Sequence, residues 1–266
     1  MTTVVCFKVP DGIVFAADSA MTVTRRGTGD NRYDSYHKLS VICGLPMGTA
    51  MWGRGVIGQR SVPSLIQEFS ATWTGENRNL TTVEAAANEL FAFLRQKIAE
   101  TQISNDDGGL HLLVGGYSPQ SYHGQVFQLD LNAQEPRLIA DRQTLTISWY
   151  GVTEAIQTLW WGHSPVLRSV LQDEGLDEDV ISKIVRKVRH TSAWGPERLD
   201  FSMPLQNAID LAGFLVGVEI AKERYSPGLA RSAPPVDILV LRSDGPTWVR
   251  RKEFIAPPSI FSGIVP

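Results

Sequence analysis

Apolar residues in this chain are grouped into blocks of one periodicity at a time, and that grouping limits the fold more than any other feature of the sequence. β-rich runs come first, at Thr3 to Val9 and Ile13 to Ala17, separated by Pro10-Asp11-Gly12. Proline pre-sets one turn dihedral and glycine accepts the other, so this segment reads as a hairpin that starts beside the N-terminus. After a polar stretch from Thr24 to Ser35, Lys38 to Cys43 and Thr49 to Trp52 read as two further strands joined around Gly44 to Gly48. Four strands are therefore expected before any helix.

Two helices are expected next, at Val62 to Trp73 and Thr82 to Thr101. In the second, Ala86, Leu90, Phe93, Leu94 and Ile98 recur at helical spacing behind Thr82 as N-cap. Strands return at Leu110 to Val114, Gln125 to Leu131, Arg137 to Ala140 and Leu145 to Trp149. Helices follow at Val152 to Trp161, after Ser164-Pro165, at Asp177 to Arg189 and at Pro204 to Tyr225. The last is apolar on nearly all sides, as suits a helix covered by a sheet and by neighbouring helices or subunits. A hairpin of Val236 to Leu241 and Thr247 to Arg250, turning at Asp244-Gly245, ends the order.

Such blocks do not match the regular βαβ alternation of a doubly wound fold. The expected class is α+β, a four-layer αββα sandwich with two antiparallel sheets between helix layers, although periodicity alone admits other stackings. No linker-like composition shift divides the 266 residues, so one domain over 1–266 is expected. With 43% hydrophobic and 20% charged residues the chain can bury a large core.

A formal net charge of -3 supplies no basic field for nucleic acid. The apolar stretch Leu211 to Ala221 is broken by Gly213, Gly217 and Glu219, so no membrane span is expected. The N-terminus lacks a basic region followed by an apolar run and cleavage site, which makes a cytoplasmic location the expectation. Cys6 and Cys43 lie in apolar, strand-like segments without CxxC spacing and read as small buried hydrophobes. The five histidines form no ligand pattern, and neither metal nor cofactor is expected.

The chemically informative segment is Thr2-Thr3-Val4-Val5 through Asp11-Gly12-Ile13-Val14-Phe15-Ala16-Ala17-Asp18-Ser19. Paired threonines, a hairpin, an Asp-Gly turn and Ala-Ala-Asp resemble the start of a mature proteasome β subunit. His37-Lys38-Leu39 resembles that family's lysine-bearing strand, and Trp52-Gly53-Arg54-Gly55 falls where the family has its oxyanion glycine. Leu113-Val114-Gly115-Gly116-Tyr117 looks like another proteasomal strand. The resemblance is to proteasome-type N-terminal-nucleophile hydrolases. Length and the Gly44-Leu45-Pro46 insertion are more like the stand-alone bacterial homologues.

What the resemblance implies is a threonine-type peptidase. A threonine hydroxyl needs an adjacent base, and an N-terminal threonine carries one in its own α-amine, which titrates at about 7.7 to 8.0. Removal of Met1 would expose Thr2 as nucleophile and base together, without a propeptide. Lys38 would favour the alkoxide and keep the amine less protonated, Asp18 would hold Lys38, and the Gly53 N–H would serve the oxyanion. Each has a plainer reading, namely edge-strand threonine, solvated lysine, turn aspartate and packing glycine.

Ser148, in Ser148-Trp149-Tyr150-Gly151, partly matches the family's Ser-Gly-rich turn. Its later aspartate has three candidate positions here, Glu219, Glu223 and Asp237. The implied partners are peptide or unfolded-protein substrate and further copies in a homo-oligomeric ring, with an ATPase left open. Two other functions fit the same residues: an amidase for small amides, and an inert proteasome-like scaffold.

Overall fold

The computed structural model describes residues 2–25, 29–42, 44–73, 82–101, 109–141, 145–191 and 202–253. Strands β1 (Thr3–Val9), β2 (Gly12–Ala17), β3 (Met21–Arg25), β4 (Gly29–Tyr33), β5 (Leu39–Ile42), β6 (Met47–Gly53), β7 (Val56–Ile57) and β8 (Arg60–Ser61) come first. Helices α1 (Val62–Trp73) and α2 (Val83–Glu100) follow, then strands β9 (Leu110–Tyr117), β10 (Gly124–Asp130), β11 (Arg137–Ala140) and β12 (Thr146–Gly151). The remaining elements are α3 (Glu154–Trp161), α4 (Leu167–Asp173), α5 (Glu178–Thr191), α6 (Leu205–Tyr225), β13 (Asp237–Arg242) and β14 (Gly245–Arg250).

The strands form two five-stranded antiparallel sheets, ordered β12-β1-β2-β13-β14 and β11-β10-β9-β6-β5. Because side chains alternate along a strand, β1 turns Val4 and Cys6 toward the second sheet and Val5, Phe7 and Val9 toward helices α3 and α6. Leu112, Val114, Phe127 and Leu129 of the second sheet pack under α1 and α2. Three apolar interfaces thus separate four layers, the expected αββα order. Deleting a fully buried leucine such as Leu113 or Leu215 would cost about 2–5 kcal/mol.

Thr82 caps α2 by accepting the Ala85 N–H at 3.1 Å. The stretch expected to be a polar excursion instead forms the β3–β4 ribbon, pairing Met21 with Tyr33 and Arg25 with Gly29. Backbone pairing sustains it without apolar alternation on β4, so periodicity does not reveal it. The two-residue ribbon β7–β8 is too short to carry a pattern. Helix α6 is not covered all round: Ala208, Ile209, Ala212, Leu215 and Val216 are buried, while Phe214 is 48% exposed. Cys6 is buried and its thiol is pushed up to about 12 by burial, so it is inert; Cys43 lies outside the described residues.

Candidate active site

Antiparallel pairing brings to one rim of the sandwich the start of β1, the end of β2, the end of β12 and the start of β13. Lys38, immediately before β5, reaches that rim from the second sheet. The elements therefore deliver residues from distant parts of the sequence to one place.

Asp18 is the centre. Its Oδ1 accepts the Lys38 ammonium at 2.5 Å and the Thr3 N–H at 2.8 Å, while Oδ2 accepts the N–H groups of Ala20 at 2.9 Å and Ala233 at 3.0 Å. A buried carboxylate is costly unless its lone pairs are filled, and here four donors fill them. Lys38 and the peptide leading out of Thr2 converge on one oxygen atom. The cation is thereby held a few ångströms from the first residue of β1.

Burial pulls the Lys38 ammonium down to about 8, against the opposing charge and hydrogen bond of Asp18, with Lys252 adding to the depression. A lysine so placed can exchange its proton near neutrality.

Thr2 is 5% exposed. Its carbonyl accepts the Val152 N–H at 2.7 Å, and Thr3 Oγ1 donates to the Val152 carbonyl at 2.8 Å and lies 3.1 Å from Ser232 Oγ. This close approach depends on Gly151, where φ is +82° and a Cβ would stand 1.8 Å from the Thr2 carbonyl oxygen. Gly151→Ala is expected to displace Thr2 and to reduce amide hydrolysis by about 10²-fold, the scale of a 1 Å misplacement. Steady-state rates beside a thermal melt would check that the loss is local.

The other two expected site residues lie on β6 and β12. Gly53 ends β6, the strand whose Met51 N–H donates to the Lys38 carbonyl at 2.9 Å. Its φ is +85° and a Cβ would meet the Gly109 carbonyl oxygen at 2.1 Å, so its backbone requires glycine whatever its N–H does. Gly53→Ala is expected to lower stability by at least about 1–3 kcal/mol, measured as a shifted denaturation midpoint. Ser148 lies opposite Cys6, three pairs along from Gly151 opposite Thr3. At the ordinary strand rise it sits about 13 Å along the sheet from Thr2. In its segment, Gly151 and the following Val152 are what touch Thr2.

The three acidic candidates take separate places. Glu219 accepts the N–H groups of Ala155 at 2.8 Å and Ile156 at 3.2 Å. Glu223 binds Arg231 through its backbone N–H at 2.8 Å and its guanidinium at 2.8 and 3.1 Å, which pulls the carboxyl down to about 2. Asp237 accepts the Lys252 N–H at 2.7 Å and pairs with the Lys252 ammonium, and His37 Nδ1 lies 4.0 Å from its Oδ2. This second lysine–aspartate pair adjoins the first, since each lysine lies in the other aspartate's field. Nothing in the spacing of Lys252 or Ser232 points to the site, because Lys252 lies just beyond β14 and Ser232 in the irregular segment between α6 and β13, both far along the chain.

Between the sheets near the same rim, Trp52 stacks on Tyr150 at 4.2 Å and on His111 at 5.4 Å. Among the described residues no cluster of three His, Cys, Asp or Glu could hold a metal ion, and no helix is long and apolar enough to cross a membrane.

No family model matches the sequence, and no curated protein matches it. Solved structures do. Anbu (ancestral beta-subunit) from Yersinia bercovieri superposes with a TM-score of 0.58 at 13% identity, over 93% of this chain and 86% of that one. The chain shares its fold with Anbu. A mutant Anbu from Hyphomicrobium sp. strain MC1 gives the same TM-score and identity over 99% of this chain and 92% of that one. The likeness to Anbu at such identity is one of fold, and it agrees with the αββα sandwich expected from the sequence.

Proposed function

We propose that this chain is an amide hydrolase of the N-terminal-nucleophile class in which Thr2, freed of Met1, attacks a peptide carbonyl. Met1 itself lies outside the described residues. The observation that carries the reading is the shared Asp18 oxygen, which fixes a buried lysine beside the peptide following Thr2. In the proposed reaction the Thr2 α-amine takes the hydroxyl proton as Oγ1 bonds to the carbonyl carbon. The Lys38 ammonium stabilises the charge, and the Gly53 N–H is assigned to the oxyanion. The same amine returns its proton to the leaving nitrogen, and water then releases the acyl group from Thr2.

The proposed substrates are peptides or unfolded protein, and the proposed assembly is a homo-oligomeric ring, for which the Anbu fold and the exposed Phe214 on α6 give support. A small-amide amidase would use the same residues. Fluorogenic peptides and γ-glutamyl anilides, assayed side by side, separate the two. Hydrolysis of the peptides by the native chain is the expected result, and hydrolysis of the anilides alone would reject it. An inert scaffold is favoured by one observation, that Ser148 stands opposite Cys6 rather than beside Thr2.

A further inference from the structure

Glu219 is a buried carboxylate that the proposed reaction does not use. It lies on α6 and is fully buried, with Oε2 bound to the N–H groups of Ala155 and Ile156 in the first turn of α3. Burial pushes its carboxyl up; the two N–H groups and Lys222 oppose that, and Glu223 adds to it. Helix starts are ordinarily capped by a side chain at the N-cap, yet Thr153 in that position makes no such bond. The cap comes instead from another helix, which ties α3 to α6.

What that tie holds is the loop against Thr2. The first turn of α3 follows Gly151 and Val152 after the single residue Thr153, and Val152 is bonded in both directions to the opening of the chain: its N–H to the Thr2 carbonyl and its carbonyl to Thr3 Oγ1. One helical turn further along α6, Glu223 grips Arg231, and the next two residues meet Thr3 Oγ1 and Asp18 Oδ2. Two acids four residues apart on one helix therefore anchor the two loops that close on Thr2, Thr3 and Asp18.

We propose that Glu219 is a positioning residue for Thr2: it fixes the first turn of α3 and, through it, the Val152 peptide that holds the Thr2 carbonyl. This rests on the reading of Thr2 as nucleophile. The charge of Glu219 also suits the positive end of the α3 dipole, but the anchoring itself requires only an acceptor oxygen at that point.

The test compares Glu219→Ala with Glu219→Gln in the full chain, reading backbone amide exchange and steady-state kinetics together. In Glu219→Ala, exchange at Val152, Ala155 and Ile156 is expected to rise about tenfold or more while β9 and β10 are unchanged. Its kcat is expected to fall about 10- to 100-fold with KM within about twofold, as for lost orientation in the chemical step. Glu219→Gln, whose amide oxygen still accepts both N–H groups, should recover protection and come within about threefold of native kcat.

Faster exchange at Ala155 and Ile156 with Val152 unchanged would reduce Glu219 to a local cap and overturn the proposal. So would equal losses of kcat in both variants with protection intact. If Glu219→Ala does not fold, Glu219→Asp, one methylene shorter, is expected to show the same rise at Val152, and its absence counts against the proposal. Exchange is read without substrate, so the anchoring stands or falls separately from hydrolysis by Thr2.

Discussion

Thr2→Ala is expected to lower amide hydrolysis by about 10⁴-fold or more, the scale on which enzymes lose rate when a nucleophilic hydroxyl is deleted. The prediction is specific because the structure engages Thr2 through its backbone. The Thr2 carbonyl holds the Val152 N–H, and the following N–H holds Asp18; both survive the substitution. The unfolding midpoint should therefore move by only a few degrees. A variant that retains native turnover would remove Thr2 from the chemistry altogether, and a variant that fails to fold would show that its side chain is structural.

Lys38→Met is expected to be the next most damaging change, lowering turnover by about 10²- to 10⁴-fold. It also leaves the Asp18 carboxylate buried with three backbone donors and no cation, which should cost about 3–5 kcal/mol of stability. The pH profile separates the two effects. On the acid side the Thr2 amine must be neutral, and an unperturbed α-amine titrates at about 7.7 to 8.0, so activity rises through neutrality. On the alkaline side the Lys38 ammonium is lost as pH passes about 8. A narrow optimum near that pH is expected for the native chain, and Lys38→Met should keep the acid limb and lose the alkaline one.

Stability should respond to Lys38 in the opposite sense. Its folded value of about 8 lies below the ordinary 10.5, so between those two pH values the unfolded chain binds more protons than the folded one. The cost of burying the charge is fully present below about 8 and disappears as pH rises toward 10.5. From this residue alone, stability rises across that window even as activity declines.

The architecture was legible where apolar periodicity was strong. β1 and β2 have the expected bounds to within a residue, and α2 begins behind Thr82 as its capping chemistry requires. The β3–β4 ribbon was not legible, since backbone pairing alone leaves no apolar signature in the polar residues from Gly29 to Tyr33. The exposed side of α6 was not legible, since Phe214 reads as one more apolar position of the helix and yet is 48% exposed.

The site divides the same way. Asp18 and Lys38 stand at strand ends within the motif, and the sheets bring them together at 2.5 Å. Ser148 partly matches the family's Ser-Gly-rich turn, while contact with Thr2 is made by the backbone of Gly151 and Val152, and main-chain groups leave little trace in sequence. Lys252 and Ser232 reach Asp237 and Thr3 only through the tertiary arrangement of the segments that follow β14 and α6.

The most direct measurement is intact mass and peptide mapping of the purified chain after treatment with a threonine-directed covalent inhibitor. The account predicts a chain lighter by one methionine residue, carrying a single adduct on Thr2, with labelling lost in Thr2→Ala. A catalytically active chain that still begins with Met1, or an adduct on any other residue, would contradict it.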